Sequence, residues 1–195
     1  MKDLDSTTIR EIGVPSEVLM ERAALKVVEE TEKYLQKDER ILVVCGSGNN
    51  GGDGIAVARL FHLKGIRVEF YMVGNKDKMT RETALQYKIA SGYRVPEVNN
   101  PQWSEYTTIV DAVFGVGLTR PIEGHYADII HEMNSARAKK IAVDIPSGVN
   151  GDTGLEMGIA FSADLTVTFA SGKEALLLSG KTVCRKDRYR RYRDL

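Results

Sequence analysis

The chain has 195 residues, of which 43% are hydrophobic, and its 27 basic side chains balance its 27 acidic ones. This length suits one domain with a full hydrophobic core and is too short for two large domains. The zero net charge argues against a general electrostatic surface for nucleic acid or an anionic membrane, and no apolar stretch approaches the roughly 18 residues of a membrane span. We expect a cytoplasmic protein, since the charged start lacks a signal-peptide pattern and two cysteines are too few for a disulfide framework.

Strand and helix patterns alternate along the chain. Short apolar, β-branched runs predict strands, and apolar residues at helical spacing predict helices. The predicted strands cover residues 41–45, 67–73, 93–98, 107–113, 140–145 and 165–170, and the predicted helices cover residues 6–12, 18–35, 55–61, 80–91 (with Thr80 as N-cap) and 126–133. Such alternation predicts a parallel sheet with right-handed crossovers and helices on both faces. The predicted fold class is α/β, a three-layer α/β/α Rossmann-like sandwich with a mostly parallel central sheet.

A glycine-rich turn follows the first predicted strand. Gly46, Gly48 and Gly51 form the pattern G-x-G-x-x-G between that strand and the next helix. Glycines at such a turn let backbone N–H groups approach a ligand closely, and the start of the helix adds partial positive charge. The turn is a candidate phosphate cradle. The alternative is a tight strand-to-helix turn that binds nothing.

Polar side chains distinguish this turn from a dehydrogenase fingerprint, whose variable positions hold small apolar residues. Asn49, Asn50 and Asp53 stand among the glycines. Their amide and carboxylate groups suit a hard cation, or the sugar and amide groups of a ligand. We expect these side chains to face a ligand. The alternative is that Asn and Asp only tolerate turn geometry and cap helices, with Asp53 as an N-cap.

Two further predicted strands end near acidic residues. Asp111 closes the strand at 107–113, and Asp144 closes the strand at 140–145, shortly before Pro146. Ligands of open α/β sheets bind outside the carboxyl ends of the strands, so we expect the glycine turn and both carboxylates to converge on one mouth. A carboxylate at this corner can act as a general acid or base. Judged from Asp144 alone, a structural role in which it binds loop amides is favoured.

Three ordered segments carry a resemblance to a known family. They are Gly-Asn-Asn-Gly-Gly-Asp-Gly at 48–54, Val-Asp-Ala-Val-Phe-Gly-Val-Gly-Leu at 110–118 and Ala-Val-Asp-Ile-Pro-Ser-Gly at 142–148. Together they resemble the NAD(P)HX epimerase family, the YjeF N-terminal domain, from about residue 14 to about residue 182. We accordingly divide the chain into a YjeF N-terminal domain, residues 1–182, and an atypical basic tail, residues 183–195.

The resemblance implies an epimerase that interconverts the R and S forms of hydrated NADH and NADPH (NAD(P)HX), a repair reaction for damaged nicotinamide nucleotides. It implies Asp144 as the catalytic acid–base residue. The substrate-binding residues that it implies are Asn49, Asn50, Gly51, Gly52, Asp53, Gly115, Val116, Gly117, Leu118, Thr119, Arg120, Pro121, Tyr126 and Asp144.

The resemblance also implies a cofactor and partners. Potassium would be held by Asn50, Asp111 and Ser147. By composition alone, a structural hydrogen-bonded cluster of these residues is at least as strong an interpretation, since their spacing is not diagnostic of a metal site. A homodimer is implied, with the helix around residues 20–24 near both the substrate and the subunit interface. On the sequence alone, an ordinary core helix is the favoured interpretation of these residues. Functional coupling to an ADP- or ATP-dependent NAD(P)HX dehydratase is implied as well, whereas no membrane or nucleic-acid partner is expected.

The C-terminal tail departs from the family pattern. Residues 185–193 form a basic run with interleaved tyrosines. Such a run can touch nucleic acid, but a solvated end is the expected form. The last strand and the ending that are typical of the family are not recognisable here, which suggests a truncated or frame-shifted product.

Two other functions stay open at this stage. One is a nicotinamide-dependent oxidoreductase with Glu69 as the ribose-binding acid, although the polar turn argues against it. The other is a non-catalytic nucleotide-binding or interaction module. The three histidines show no metal-ligand spacing. The sequence has neither a Walker lysine nor a G-x-S-x-G elbow, which argues against a P-loop ATPase and a serine hydrolase.

Overall fold

The central sheet is parallel. The computed structural model describes residues 13–168 and the backbone of residues 189–191, so the predicted helix at 6–12, the end of the predicted strand at 165–170 and the rest of the basic tail lie outside the described residues. In this part of the chain six strands pair in the order β2-β1-β3-β4-β5-β6, and every pair is parallel. The strands are β1 Arg40–Cys45, β2 Arg67–Met72, β3 Thr108–Ala112, β4 Lys139–Val143, β5 Leu165–Thr168 and β6 Tyr189–Arg191. The parallel α/β prediction is confirmed, whereas β6 falls in the tail, where no strand is predicted.

Helices cover both faces of the sheet. They are α1 Ser16–Glu32, α2 Asn49–Leu63, α3 Arg81–Gly92 and α4 His125–Ser135, with short 3₁₀ turns at Lys76–Lys78 and Trp103–Glu105. Along β1, Ile41 and Val43 join the core that holds α1 and α2, whereas Leu42 and Val44 join the core that holds Ile130 of α4. This alternation is expected of a strand buried on both faces, and it confirms the three layers. None of the helices among the described residues is long and apolar enough to cross a membrane.

The strand order locates the binding crevice. β1 lies between β2 and β3, so the chain leaves β1 towards one edge of the sheet and later adds β3, β4 and β5 on the other side. In open α/β sheets of this order, ligands bind at the carboxyl ends of the strands where the order reverses. The loops that follow β1 and β3 therefore flank the crevice.

The predicted strand at 93–98 is wrong. One isolated bridge joins Phe70 to Glu97, and the flanking bonds run from Phe70 N–H to Pro96 O and from Val98 N–H to Phe70 O. Two features keep the ladder from extending. Arg94 has a positive φ of 56°, which is incompatible with extended backbone, and Pro96 has no N–H to donate.

The predicted N-cap of α3 is confirmed. The Thr80 side chain accepts a hydrogen bond from the Thr83 N–H at 3.3 Å. Replacing Thr80 with alanine is expected to lower the free energy of unfolding by about 1 kcal/mol, because it removes this bond. Urea denaturation of the wild type and the variant measures the difference. The control is Ser104→Ala at an exposed position, and a Thr80→Ala effect no larger than that of the control would contradict the prediction.

Candidate active site

Three loops at the carboxyl edge of the sheet meet around Gly115. A Cβ atom placed on Gly115 would lie 3.4 Å from Asn50 Cγ and 3.4 Å from the Asp144 Oδ2 atom. Asn50 belongs to the first turn of α2, Gly115 follows β3, and Asp144 directly follows β4. The structure therefore brings together one residue from each of the three motifs. Because Gly115 has no side chain, space remains between the Asn50 amide and the Asp144 carboxylate.

The glycines of the first turn allow close packing of the backbone. A Cβ on Gly51 would overlap the carbonyl oxygen of Gly46, and a Cβ on Gly46 would overlap the carbonyl oxygen of Val113. The Gly46 N–H donates to Ala112 O at 3.0 Å. Gly51 thus lets the turn pack on itself, and Gly46 lets it pack against the residue that follows β3. Close packing is therefore a structural reason for the glycine pattern, in addition to any role in binding.

Helix α2 begins at Asn49, six residues before the predicted start at Ile55. The Gly48 carbonyl accepts from the N–H groups of Gly51 at 2.9 Å and Gly52 at 3.3 Å, so the polar residues of the turn are already helical. Gly48 is the N-cap, and the alternative that Asp53 caps the helix is wrong. Asp53 is half-buried in the second turn.

The side chain of Asn50 is buried without a hydrogen-bond partner. Asn50 is 9% exposed, and neither its Nδ2 nor its Oδ1 atom makes a hydrogen bond among the residues that the structure describes. Within the same residues, no backbone carbonyl accepts from the N–H groups of Asn49 and Asn50, as is usual for the first N–H groups of a helix. A buried amide without partners costs about 1–3 kcal/mol. This unsatisfied amide makes Asn50 a candidate ligand-binding residue.

Asp111 and Ser147 form a buried cross-link between the loops that follow β3 and β4. Asp111 Oδ1 accepts from Ser147 Oγ at 2.6 Å and from Val113 N at 3.1 Å, and Oδ2 accepts from Ser147 N at 2.7 Å. Ser147 Oγ also accepts from Phe114 N at 2.8 Å, directly before Gly115. Complete burial raises the pKa of Asp111 to about 6, against the lowering effect of these bonds. A positive charge nearby would offset that cost.

Asp144 has an unusual backbone conformation. Its φ is 67°, in the left-handed region that Asp adopts more readily than most residues, and its N–H donates to Val167 O at 2.7 Å. The extended geometry expected up to Ile145 is therefore wrong, and β4 ends at Val143. Backbone strain of this kind is concentrated at functional sites. It directs a carboxylate that is 8% exposed towards the Gly115 space.

The loop after β3 is divided between a packed part and an exposed part. Val116 contributes to a small apolar cluster with Ile145 and Val149, and the ring of Tyr126 packs against Phe114 at 4.9 Å between centroids. The exposed residues of the predicted binding set are Asn49, Gly117, Thr119, Arg120 and Pro121. The structure places Tyr126 beside the loop, whereas Arg120 is exposed.

Gly52 faces away from this space. A Cβ on Gly52 would lie 2.9 Å from both Met20 Cε and Thr83 Oγ1, so Gly52 is the point where α1 and α3 approach α2. Thr83 lies outside the three sequence motifs. Its hydroxyl donates to Gly48 O at 2.8 Å, a contact 35 residues distant in the chain that no local pattern indicates.

Glu69 does not occupy the position of a ribose-binding acid. It lies in the first half of β2, where it pairs with Arg40 at 3.2 Å and accepts from the Tyr106 hydroxyl at 2.7 Å. Glu69 and Arg40 line a shallow groove of about 530 Å³ at the amino-terminal edge of the sheet. That edge is opposite to the glycine turn. Glu69, the residue on which the oxidoreductase alternative depended, therefore does not lie beside the turn.

Comparisons with known proteins show which sequences and structures this chain resembles. Residues 16–175 match the family described as YjeF-related protein N-terminus. Relatives named NAD(P)H-hydrate epimerase include one from Oenococcus oeni, 49% identical over 90% of this chain and 84% of its own length, and one from Limosilactobacillus fermentum, 45% identical over 91% of this chain and 86% of its own. The crystal structure of the yeast protein YNL200c has a TM-score of 0.81 at 22% identity, covering 97% of this chain and 84% of the yeast chain. At that identity it shows a shared fold.

Proposed function

Because the chain belongs to the YjeF-related protein N-terminus family, we propose that it is an NAD(P)HX epimerase, an isomerase that interconverts the R and S forms of hydrated NADH and NADPH. The observation that carries the proposal is the buried, unpartnered Asn50 amide that lies beside Asp144 across the Gly115 space. Curated relatives at 45–49% identity bear the name of this activity.

Each side of the site suits one part of a hydrated dinucleotide. The N–H groups at the start of α2, from which no backbone carbonyl of the described residues accepts, suit phosphate or carbonyl oxygens. The Asn50 amide both donates and accepts. Epimerisation at the hydrated ring carbon requires the hydroxyl to leave from one face and to return to the other. Asp144 would donate a proton to the departing hydroxyl and recover it from the water that adds back, so no redox partner is consumed. General acid–base assistance of this kind contributes about 10²–10⁴-fold.

Potassium is proposed as the cofactor. The residues fit a hard monovalent cation, since Asn50 Oδ1 is an unpartnered buried oxygen and Asp111 and Ser147 add a carboxylate and a hydroxyl. Such a set has one formal negative charge. When bound, the ion would supply a fixed positive charge beside the buried Asp111.

Replacing Ser147 with alanine tests this ligand set. The variant loses the hydroxyl that links Asp111 to Phe114 N, so the free energy of unfolding is expected to fall by about 1–3 kcal/mol. The half-saturating potassium concentration is expected to rise about tenfold. Thermal unfolding followed against KCl, at constant ionic strength with sodium, measures both. The control is Ser135→Ala on the exposed end of α4, and an unchanged potassium response in Ser147→Ala would contradict the assignment.

We also propose that the protein is a cytoplasmic homodimer. The product of its reaction would be the substrate of an ADP- or ATP-dependent dehydratase. The chemistry supports the coupling, because epimerisation alone leaves the nucleotide hydrated and a dehydration must follow to restore it. Val18 and Leu25, seven residues apart on one face of α1, are half-exposed apolar side chains that a second copy of the chain would cover in such a dimer. Sedimentation of the purified protein measures the oligomeric state.

The activity itself is tested with pure R-NADHX. The protein is incubated with it in potassium buffer or in sodium buffer of equal ionic strength, and the S form is followed by chromatography. We expect protein-dependent formation of the S form that potassium accelerates. A folded protein that does not exceed the protein-free rate would overturn the proposal and favour a nucleotide-binding module.

A further inference from the structure

Two threonines join helix α3 to the glycine turn. Thr83 Oγ1 lies 2.8 Å from the Gly48 carbonyl and 2.8 Å from Thr80 Oγ1. A carbonyl has no proton to give, so the Thr83 hydroxyl donates to Gly48 O, and the Thr80 hydroxyl must then donate to Thr83 Oγ1. The Thr80 N–H donates in addition to Ser47 O at 3.0 Å. The start of α3 therefore donates hydrogen bonds to two successive carbonyls of the turn, those of Ser47 and Gly48.

The orientation of a carbonyl group also fixes the orientation of the N–H group of the next residue. The peptide group is planar and trans, so the N–H of a residue points opposite to the carbonyl of the residue before it. Holding Gly48 O towards α3 therefore directs the Asn49 N–H away from α3, and holding Ser47 O does the same for the Gly48 N–H. Gly52 makes room for the arrangement, because a Cβ there would lie 2.9 Å from Thr83 Oγ1.

We propose that Thr83 is a positioning residue for the substrate, a role that rests on the proposed epimerase function. Its hydroxyl holds the Gly48 carbonyl together with the Gly51 and Gly52 N–H groups. It thereby helps to set the direction of the Asn49 N–H and ties the first turn of α2, which carries the buried Asn50 amide, to α3. Thr83 is fully buried, so it acts through Gly48 and does not touch the ligand.

The test compares three variants of the full chain. Thr83→Val keeps the shape and removes the hydroxyl, and Thr83→Ser keeps the hydroxyl. Thr31→Val is the matched control, because Thr31 is also fully buried but its hydroxyl has no partner among the described residues. Steady-state kinetics with R-NADHX gives KM and kcat, and amide hydrogen exchange at Gly51 and Gly52 reports the turn without any ligand.

Thr83→Val is expected to raise KM about tenfold with kcat within about twofold and to speed exchange at Gly51 and Gly52 about tenfold. Thr83→Ser and Thr31→Val are expected to behave like the wild type in both measurements. Unchanged KM and exchange in Thr83→Val would overturn the proposal, as would a Thr83→Ser variant that is equally impaired. If the wild type itself does not epimerise NADHX, the proposed function fails, and the exchange measurement alone decides whether Thr83 holds the turn.

Discussion

Replacing Asp144 with asparagine is expected to lower the epimerisation rate by about 10²–10⁴-fold. The amide keeps the size of the side chain but does not exchange a proton with the substrate hydroxyl. Asparagine also tolerates the left-handed φ of 67° at this position, and its N–H still donates to Val167 O. The fold should therefore persist. The rate is measured by chromatography of the two epimers at saturating substrate.

Asp128→Asn provides the matched control for this change. Asp128 lies in the first turn of α4 and is exposed, so the same chemical change there should leave the rate within about twofold. A folded Asp144→Asn protein with the wild-type rate would remove Asp144 from the catalytic role. Its role would then be structural, as the turn after β4 by itself suggests.

Replacing Asn50 with leucine is expected to stabilise the protein and to abolish its activity. Both polar atoms of the amide are buried and unpartnered among the described residues, so an apolar side chain of similar size removes a desolvation cost of about 1–3 kcal/mol. The same change removes the amide that faces Asp144 and a proposed potassium ligand. We expect a loss of activity of about 10²-fold or more, because a positioning contact and an ion ligand are lost together.

The control is Asn134→Leu, because the Asn134 amide of the wild type has hydrogen-bond partners. Asn134 Nδ2 donates to Ala160 O at 2.9 Å, and Oδ1 accepts from Ser162 N at 2.8 Å. Leucine there should lower the free energy of unfolding, so the two variants are expected to shift denaturation midpoints in opposite directions. An Asn50→Leu protein that is destabilised, or that keeps its potassium-dependent activity, would contradict the role assigned to this amide.

The sequence is sufficient to predict the layers and the place of the site. Apolar runs such as 41–45 identify buried strands, since a strand covered on both faces is apolar at every position. The rule that parallel strands present their carboxyl ends at one edge then places Asn50, Gly115 and Asp144 together. Neither step requires knowledge of side-chain contacts.

Other features depend on contacts that local patterns do not encode. Helix α2 begins before Ile55 because two glycine N–H groups bond the Gly48 carbonyl, whereas asparagine and glycine have low helix propensity and suggest a loop. The constraint of Pro146 acts on Ile145, so it gives no signal for the left-handed Asp144. The contact between Thr83 and Gly48 joins separate elements and appears only when α3 packs on α2.

The proposed epimerase activity is tested most directly by approaching the equilibrium between the two epimers from both sides. Pure R-NADHX and pure S-NADHX are each incubated with the protein in potassium buffer, without ATP or any redox cofactor, and both epimers are quantified over time. If the protein is an epimerase, both reactions are expected to reach the same ratio faster than without protein, while total NADHX stays constant. Conversion in one direction only, loss of total NADHX to another product, or rates equal to the protein-free reaction would contradict it.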